Sequence, residues 1–141
     1  MKVSDILNSK GNNVYWVSPS ITVYDALKVM GEKNIGALLV MENDTLTGII
    51  SERDYARKVV LKGKTSSETL VSDIMTRNVI TILPNDSLEK CMELMSEKHI
   101  RHLPVVKDGE VEGVISITDV VTAIIESQKE TIAYLHNYIV Q

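Results

Sequence analysis

Residues 19–54 align with residues 84–119 at a constant offset of 65 and without a gap, and 11 of the 36 paired positions are identical. The identities are Pro19/Pro84, Met30/Met95, Glu32/Glu97, Lys33/Lys98, Ile35/Ile100, Leu38/Leu103, Val40/Val105, Gly48/Gly113, Ile50/Ile115, Ser51/Ser116 and Asp54/Asp119. Unrelated segments of ordinary composition would share about two or three. A second echo, Ser4-Asp5-Ile6-Leu7 against Ser72-Asp73-Ile74-Met75, runs at an offset of 68, so three extra residues precede the second copy. They fall in the polar, small-residue stretch 62–69, as a connection should. The chain therefore divides into a first repeat (3–61), a linker (62–70), a second repeat (71–126) and a tail (127–141). Each repeat is too small to bury enough surface by itself, so the two copies are expected to pack on each other.

Both copies carry the same local pattern. A short helix (3–7; 71–75) leads into an apolar strand (14–17; 79–83) that stops at Pro. A helix follows, with apolar residues at helical spacing: Val23, Ala26, Leu27 and Met30, or Leu88, Cys91, Met92 and Met95. Thr22 with Asp25, and Asp86 with Glu89, supply N-caps. Two strands come next (37–41 with 46–51; 103–107 with 111–115), joined by polar turns, and a last helix begins after Ser51 or Ser116. The order is β-α-β-β-α, an α/β fold of the α+β type, with one additional C-terminal helix. The chain has no Phe. Its core must be filled by Val, Ile, Leu and Met, and β-branched residues suit a sheet.

A net charge of 15 − 19 = −4 argues against non-specific nucleic-acid binding, which needs many cations on phosphates. The single cysteine, Cys91, cannot form an internal disulfide. No apolar run approaches the ~18 residues of a membrane span, and the N-terminus has no signal-like apolar region. A cytoplasmic protein without a membrane or nucleic-acid partner is expected.

The duplicated strand-to-helix motif is Gly48-Ile49-Ile50-Ser51-Glu52-Arg53-Asp54 and Gly113-Val114-Ile115-Ser116-Ile117-Thr118-Asp119; the second copy also carries Ile100-Arg101-His102-Leu103-Pro104-Val105-Val106. In duplicate register these features, spanning about residues 3 to 125, resemble a tandem pair of cystathionine-β-synthase (CBS) domains, a Bateman module, of the free-standing kind. The resemblance implies two repeats packed sheet to sheet with pseudo-two-fold symmetry. It also implies an adenine nucleotide (AMP, ADP, ATP, NAD or NADH) as a regulatory ligand in the cleft between them, a homodimer, and a regulated partner protein.

At this motif a helix N-terminus offers free N–H groups and the positive end of a dipole to an anion. Ser51 and Ser116 add hydroxyls there. Asp54 and Asp119 are placed to accept a ribose diol, the role the resemblance gives that Asp; the same Ser-x-x-Asp spacing also describes a helix cap. Arg101 and His102 replace Gly36 and Ala37 of the first copy and are candidate phosphate ligands, as are Arg53, Arg57, Lys58 and Thr118. Arg53 and Arg57 share a helix face, which either extends the phosphate site or is solvated. Adenine would lie against backbone and apolar side chains near Val17, Ile35, Gly36, Ile80, Ile82, Ile100 and Pro104.

Enzyme chemistry has little support. Cys91 replaces Ala26 at an inward helical position and reads as a buried thiol. His99 and His102 lack a third ligand for a metal, and there is no Walker loop or Gly-x-Gly-x-x-Gly. A structural or interaction protein with vestigial nucleotide sites is the alternative to a nucleotide sensor. In the tail, Ile132, Leu135 and Ile139, flanked by Tyr134 and Tyr138, form an apolar stripe that either packs on its own core or joins two chains.

Overall fold

A computed structural model describes residues 1–140. In the first copy, β1 (Trp16–Val17), β2 (Ala37–Glu42) and β3 (Thr45–Ser51) form a sheet in that order, β1 parallel and β3 antiparallel to β2. Between β1 and β2 runs α2 (Val23–Lys33), which buries Val23, Ala26 and Met30 and is capped by Thr22, whose hydroxyl accepts the Asp25 N–H at 3.2 Å. The β2–β3 turn places Asn43 and Asp44 at φ 52° and 63°. Such left-handed pairs match the twist of a tight hairpin, and Asn and Asp tolerate them best after Gly. β3 runs directly into α3 (Glu52–Lys58).

The second copy repeats this plan with α5 (Leu88–Lys98), β4 (His102–Lys107), β5 (Glu110–Ser116) and α6 (Ile117–Val140). Even the register shift recurs, between Val40 and Met41 and between Val105 and Val106. Two local expectations are corrected. The strand expected over 79–83 contracts to one parallel bridge, Ile82 to Val105: in the first copy the Leu39 N–H donates to the Tyr15 carbonyl at 3.3 Å, and Pro104, the counterpart of Leu39, has no N–H to make the same bond to Ile80. The cap of α5 is Ser87, which accepts the Lys90 N–H at 3.2 Å, whereas Asp86 accepts the Leu83 N–H at 2.7 Å.

In space the chain forms two compact units that exchange their leading segments. One is Val14–Ile80; the other joins Met1–Asn13 to the chain from Thr81 onward. The first element, α1 (Val3–Lys10), packs with β5 and α6, and α4 (Val71–Ile74) packs with α3. Equivalent hydrogen bonds seat both segments. Val3 and Ser4 donate to the carbonyls of Asp86 and Pro84, and Val71 and Ser72 donate to those of Ile21 and Pro19, all at 2.9–3.0 Å.

The exchange explains the glycine of the repeated motif. A Cβ at Gly48 would come within 2.7 Å of Met75 Sδ and 3.0 Å of the Thr76 carbonyl oxygen, and one at Gly113 within 2.7 Å of Leu7 Cδ2. Each glycine is the seat on which the exchanged segment lies. The cores are built from paired repeat positions: Val23/Leu88, Ala26/Cys91, Met30/Met95, Leu38/Leu103, Val40/Val105 and Ile50/Ile115 are all buried.

The last helix of the second copy and the tail are one helix, since α6 runs 24 residues with no Gly or Pro to interrupt it. Gln141 of the expected tail helix lies outside the described residues. Only Val120 and Ala123 of α6 are buried, and the Ile132, Leu135 and Ile139 stripe is exposed, so it does not pack on its own core. Among the described residues no helix is long and apolar enough to cross a membrane.

Candidate functional site

In the second copy, Ser116 ends β5 and Asp119 lies in the first turn of α6. The Ser116 N–H donates to Asp119 Oδ2 at 2.8 Å, and the Asp119 N–H donates back to Ser116 Oγ at 3.1 Å. This reciprocal cap satisfies two backbone donors that a helix start leaves open. A third group, absent from the sequence-based site, completes the arrangement. Lys10, brought in by α1, places its Nζ 2.7 Å from Asp119 Oδ2 and 3.0 Å from the Val114 carbonyl oxygen. Both Ser116 and Lys10 bind the same carboxylate oxygen, so Oδ1 carries neither bond. Burial pushes the Asp119 pKa up, but the Lys10 and Ser116 hydrogen bonds outweigh it and hold the carboxyl below its ordinary value. Among the described residues neither Lys10 nor the Ser116 N–H takes Oδ1, so an ionised acceptor stands beside an ammonium with that oxygen open to a ligand.

The same unit carries the other polar candidates of this copy. His102 opens β4 directly across from Ser116 in the ladder, half-buried, and the exposed Arg101 precedes it. The Arg101 carbonyl accepts the Ile117 N–H at 2.9 Å, which ties this segment to the start of α6. Thr118 is exposed on the first turn.

The first copy resolves differently. Asp54 Oδ2 accepts the Ser51 N–H at 2.9 Å and the Ser51 hydroxyl at 3.1 Å, while Oδ1 pairs with Lys58 at 3.0 Å. Lys58 also donates to the Ile74 carbonyl of α4 at 2.8 Å. Lys58, read from sequence as a phosphate ligand, thus occupies the second oxygen of Asp54. Both carboxylate oxygens are engaged within the fold. Arg53 and Arg57 are exposed on α3.

Of the residues read as adenine contacts, Ile35 and Gly36 line a cavity of about 300 Å³ with Leu27, Met30, Asn34 and Glu52, beside the start of α3. That is the lower end of the ~300–1,000 Å³ usual for small-molecule sites. Ile80 and Ile100 are half-buried. Val17, Ile82 and Pro104 are buried, and the Ile82 backbone is spent on bonds to Pro104 and Val106. Their side chains belong to the cores.

His99 is the left-handed C-cap of α5, at φ 53°, where Asn34 serves α2. Cys91 is fully buried, and burial followed by the nearby Asp86 charge raises its pKa to about 11, which removes the thiolate a nucleophile needs. Among the described residues no group of three or more His, Cys, Asp or Glu is placed to hold a metal ion.

Burial lowers the His102 pKa from its ordinary 6.5; Lys10 and Arg101 act in the same direction and Asp119 opposes them. A depressed folded-state value means that the unfolded chain takes up the proton first. The stability held by neutral His102 is complete above about 6.5 and is lost as pH falls from there toward the folded value. Thermal unfolding followed from pH 7.5 to 5.5 should show a fall in Tm, and His102→Gln should flatten it. Parallel profiles for the two proteins would assign the fall to other groups.

The Lys10 contribution had no local signal. It lies 109 positions from Asp119 and reaches it only because the leading helix is exchanged. Lys58, four residues after Asp54 on one helix, was within reach of spacing rules.

The CBS domain family profile matches residues 3–61 and 71–126. The CBS domain-containing protein CBSX3, mitochondrial, of Arabidopsis thaliana is 42% identical over 146 residues, covering 97% of this chain and 71% of its own. Among solved structures, the CBS-domain protein of Burkholderia ambifaria MC40-6 is 47% identical with a TM-score of 0.88, covering 91% of this chain and 96% of that one. The CBS domain pair of protein MJ0100, in complex with 5′-methylthioadenosine and S-adenosyl-L-methionine, is 28% identical with a TM-score of 0.80 over 90% of this chain and 98% of that one.

Proposed function

The chain belongs to the CBS domain family as a tandem pair, and from that premise we propose that it is a regulatory module that binds an adenosine-type ligand chiefly at the second-copy motif. The observation that carries this reading is the Asp119 carboxylate, ionised, one-fifth exposed and with only Oδ2 engaged, set 2.7 Å from the Lys10 ammonium. A ribose diol needs the acceptor; a phosphate or carboxylate group needs the cation. Arg101, in the same unit, extends the cationic side, and the neutral His102 imidazole adds a hydrogen-bond donor, for AMP, ADP, ATP, NAD or NADH. The solved relative that holds two adenosine compounds supports the ligand class. In the first copy both oxygens of Asp54 are already bonded, which favours a structural role for that motif, the vestigial-site reading applied to one copy.

What the site offers, an acceptor and cations, supports a regulatory role. Ligand binding shifts a partner-binding equilibrium only through tighter affinity for one conformation. The assembly in this reading is a homodimer, located in the cytoplasm and acting on a protein partner.

Thermal unfolding with AMP, ADP, ATP, NAD, NADH, 5′-methylthioadenosine and S-adenosylmethionine tests it. A ligand at 100 times its Kd adds about 2.7 kcal/mol, roughly 5–10 °C in Tm for a chain of this size. At least one of the seven should raise Tm by that amount. A flat response to all of them removes the proposal and leaves the structural reading.

A further inference from the structure

We propose that α6 pairs with α6 of a second copy of this chain as a parallel two-stranded coiled coil. Val121, Ile125, Gln128, Ile132, Leu135 and Ile139 follow one another at spacings of 4, 3, 4, 3 and 4. That is a heptad seam, in which residues recur every 3.5 positions and face one partner helix along its whole length. The seam is not the face that α6 turns to its own unit. That face carries Val120 and Ala123, and at about 100° per residue the seam lies roughly a third of a turn away from it. Ile132, Leu135 and Ile139 are accordingly 66%, 51% and 78% exposed.

Charge selects the occupant. A helix that lies on anionic lipid carries Lys and Arg along its polar face. From Glu126 onward this one carries Glu126, Glu130 and a single Lys129. Charge also selects the orientation. An antiparallel pair aligned on the seam sets Lys129 beside Lys129 of the second copy. A parallel pair sets it beside Ile124 and sets His136 beside Thr131, with no like charges opposed. The parallel register also brings the two Gln128 amides together, where they bond to each other across the seam. One polar layer of this kind fixes register at some cost in stability.

This inference rests on the homodimer part of the reading above and not on nucleotide binding. Light scattering of the full chain should give twice the chain mass. Ile132→Glu or Leu135→Glu should give the single-chain mass at the same concentration, and Tyr134→Glu, exposed but off the seam, should leave the dimer intact. These side chains are solvent-exposed within the unit, and circular dichroism checks that each variant keeps its helix. Leu135→Cys should form a covalent dimer on mild oxidation, since parallel pairing sets position 135 against itself and the native Cys91 is buried. A single-chain mass for the unsubstituted protein overturns the homodimer. A two-chain mass unchanged by both Glu variants overturns the coiled coil alone, and a dimer in which Leu135→Cys does not cross-link overturns the parallel arrangement.

Discussion

Asp119→Ala should weaken binding of the active adenosine ligand ten-fold or more, and Asp54→Ala should weaken it much less. The argument rests on what each carboxylate has left to give. At Asp119 the Ser116 N–H and Lys10 share Oδ2, so a diol can approach Oδ1 without displacing anything. At Asp54 a diol must break the Lys58 pair or the Ser51 cap first. Removing a hydrogen bond to a charged group costs about 1.5–3 kcal/mol, which is roughly 10- to 150-fold in Kd. The substitution also removes one half of the reciprocal cap, the Ser116 N–H bond, while the Ser116 hydroxyl still accepts the backbone N–H of residue 119. The Lys10 pair adds little, since Lys10 is 40% exposed and surface pairs contribute about 0–1 kcal/mol. Affinities must therefore be measured by calorimetry well below Tm. Lys10→Met and Arg101→Ala complete the experiment: both should weaken phosphate-bearing ligands more than adenosine. Equal losses at Asp54 and Asp119 would show that the free oxygen does not decide which copy is used.

Gly48→Val should destabilise the protein more than Gly113→Val. At Gly48 even a Cβ meets Met75 Sδ at 2.7 Å and the Thr76 carbonyl oxygen at 3.0 Å. The sulfur can swing aside, but the carbonyl cannot. Thr76 is held to Ile49 by two backbone hydrogen bonds of 2.9 and 3.0 Å, so relief at Gly48 requires breaking the seat of the exchanged segment. At Gly113 the close atoms all belong to the Leu7 side chain, which is free to adopt another rotamer. Overpacking a well-filled site costs about 1–3 kcal/mol and more when backbone must move. For Gly48→Val this corresponds to a Tm lowered by on the order of 10 °C. Urea unfolding of both variants gives the comparison. A Gly113→Val protein as unstable as Gly48→Val would mean that the α1 seat is as rigid as the α4 seat.

Most of the secondary structure was legible because the repeat supplies two readings of every element. The hairpins at 37–51 and 102–116 follow from apolar runs on either side of polar turns at Asn43-Asp44 and Asp108-Gly109. The strand before Pro84 was overread, since an apolar run does not say how many of its residues find a partner, and here only Ile82 does. Val17 and Ile82 were read as adenine contacts for their apolar character. Burial assigns both side chains to the cores, a distinction that composition does not make.

The duplicated β-α-β-β-α unit with its aliphatic core, the Ser-x-x-Asp at both strand-to-helix junctions, and the divergence of the copies at Gly36/Arg101 and Ala37/His102 are all written along the chain. These are properties of residue order, and local hydrogen bonding and side-chain periodicity convert order into structure. Packing in three dimensions is what gives each repeat's leading segment to the other unit, and hence brings Lys10 to Asp119 while Asp54 is served by Lys58 on its own helix. Pairing across 109 positions depends on how helices dock. Docking follows from the summed fit of buried surfaces, which a pattern along the chain does not display.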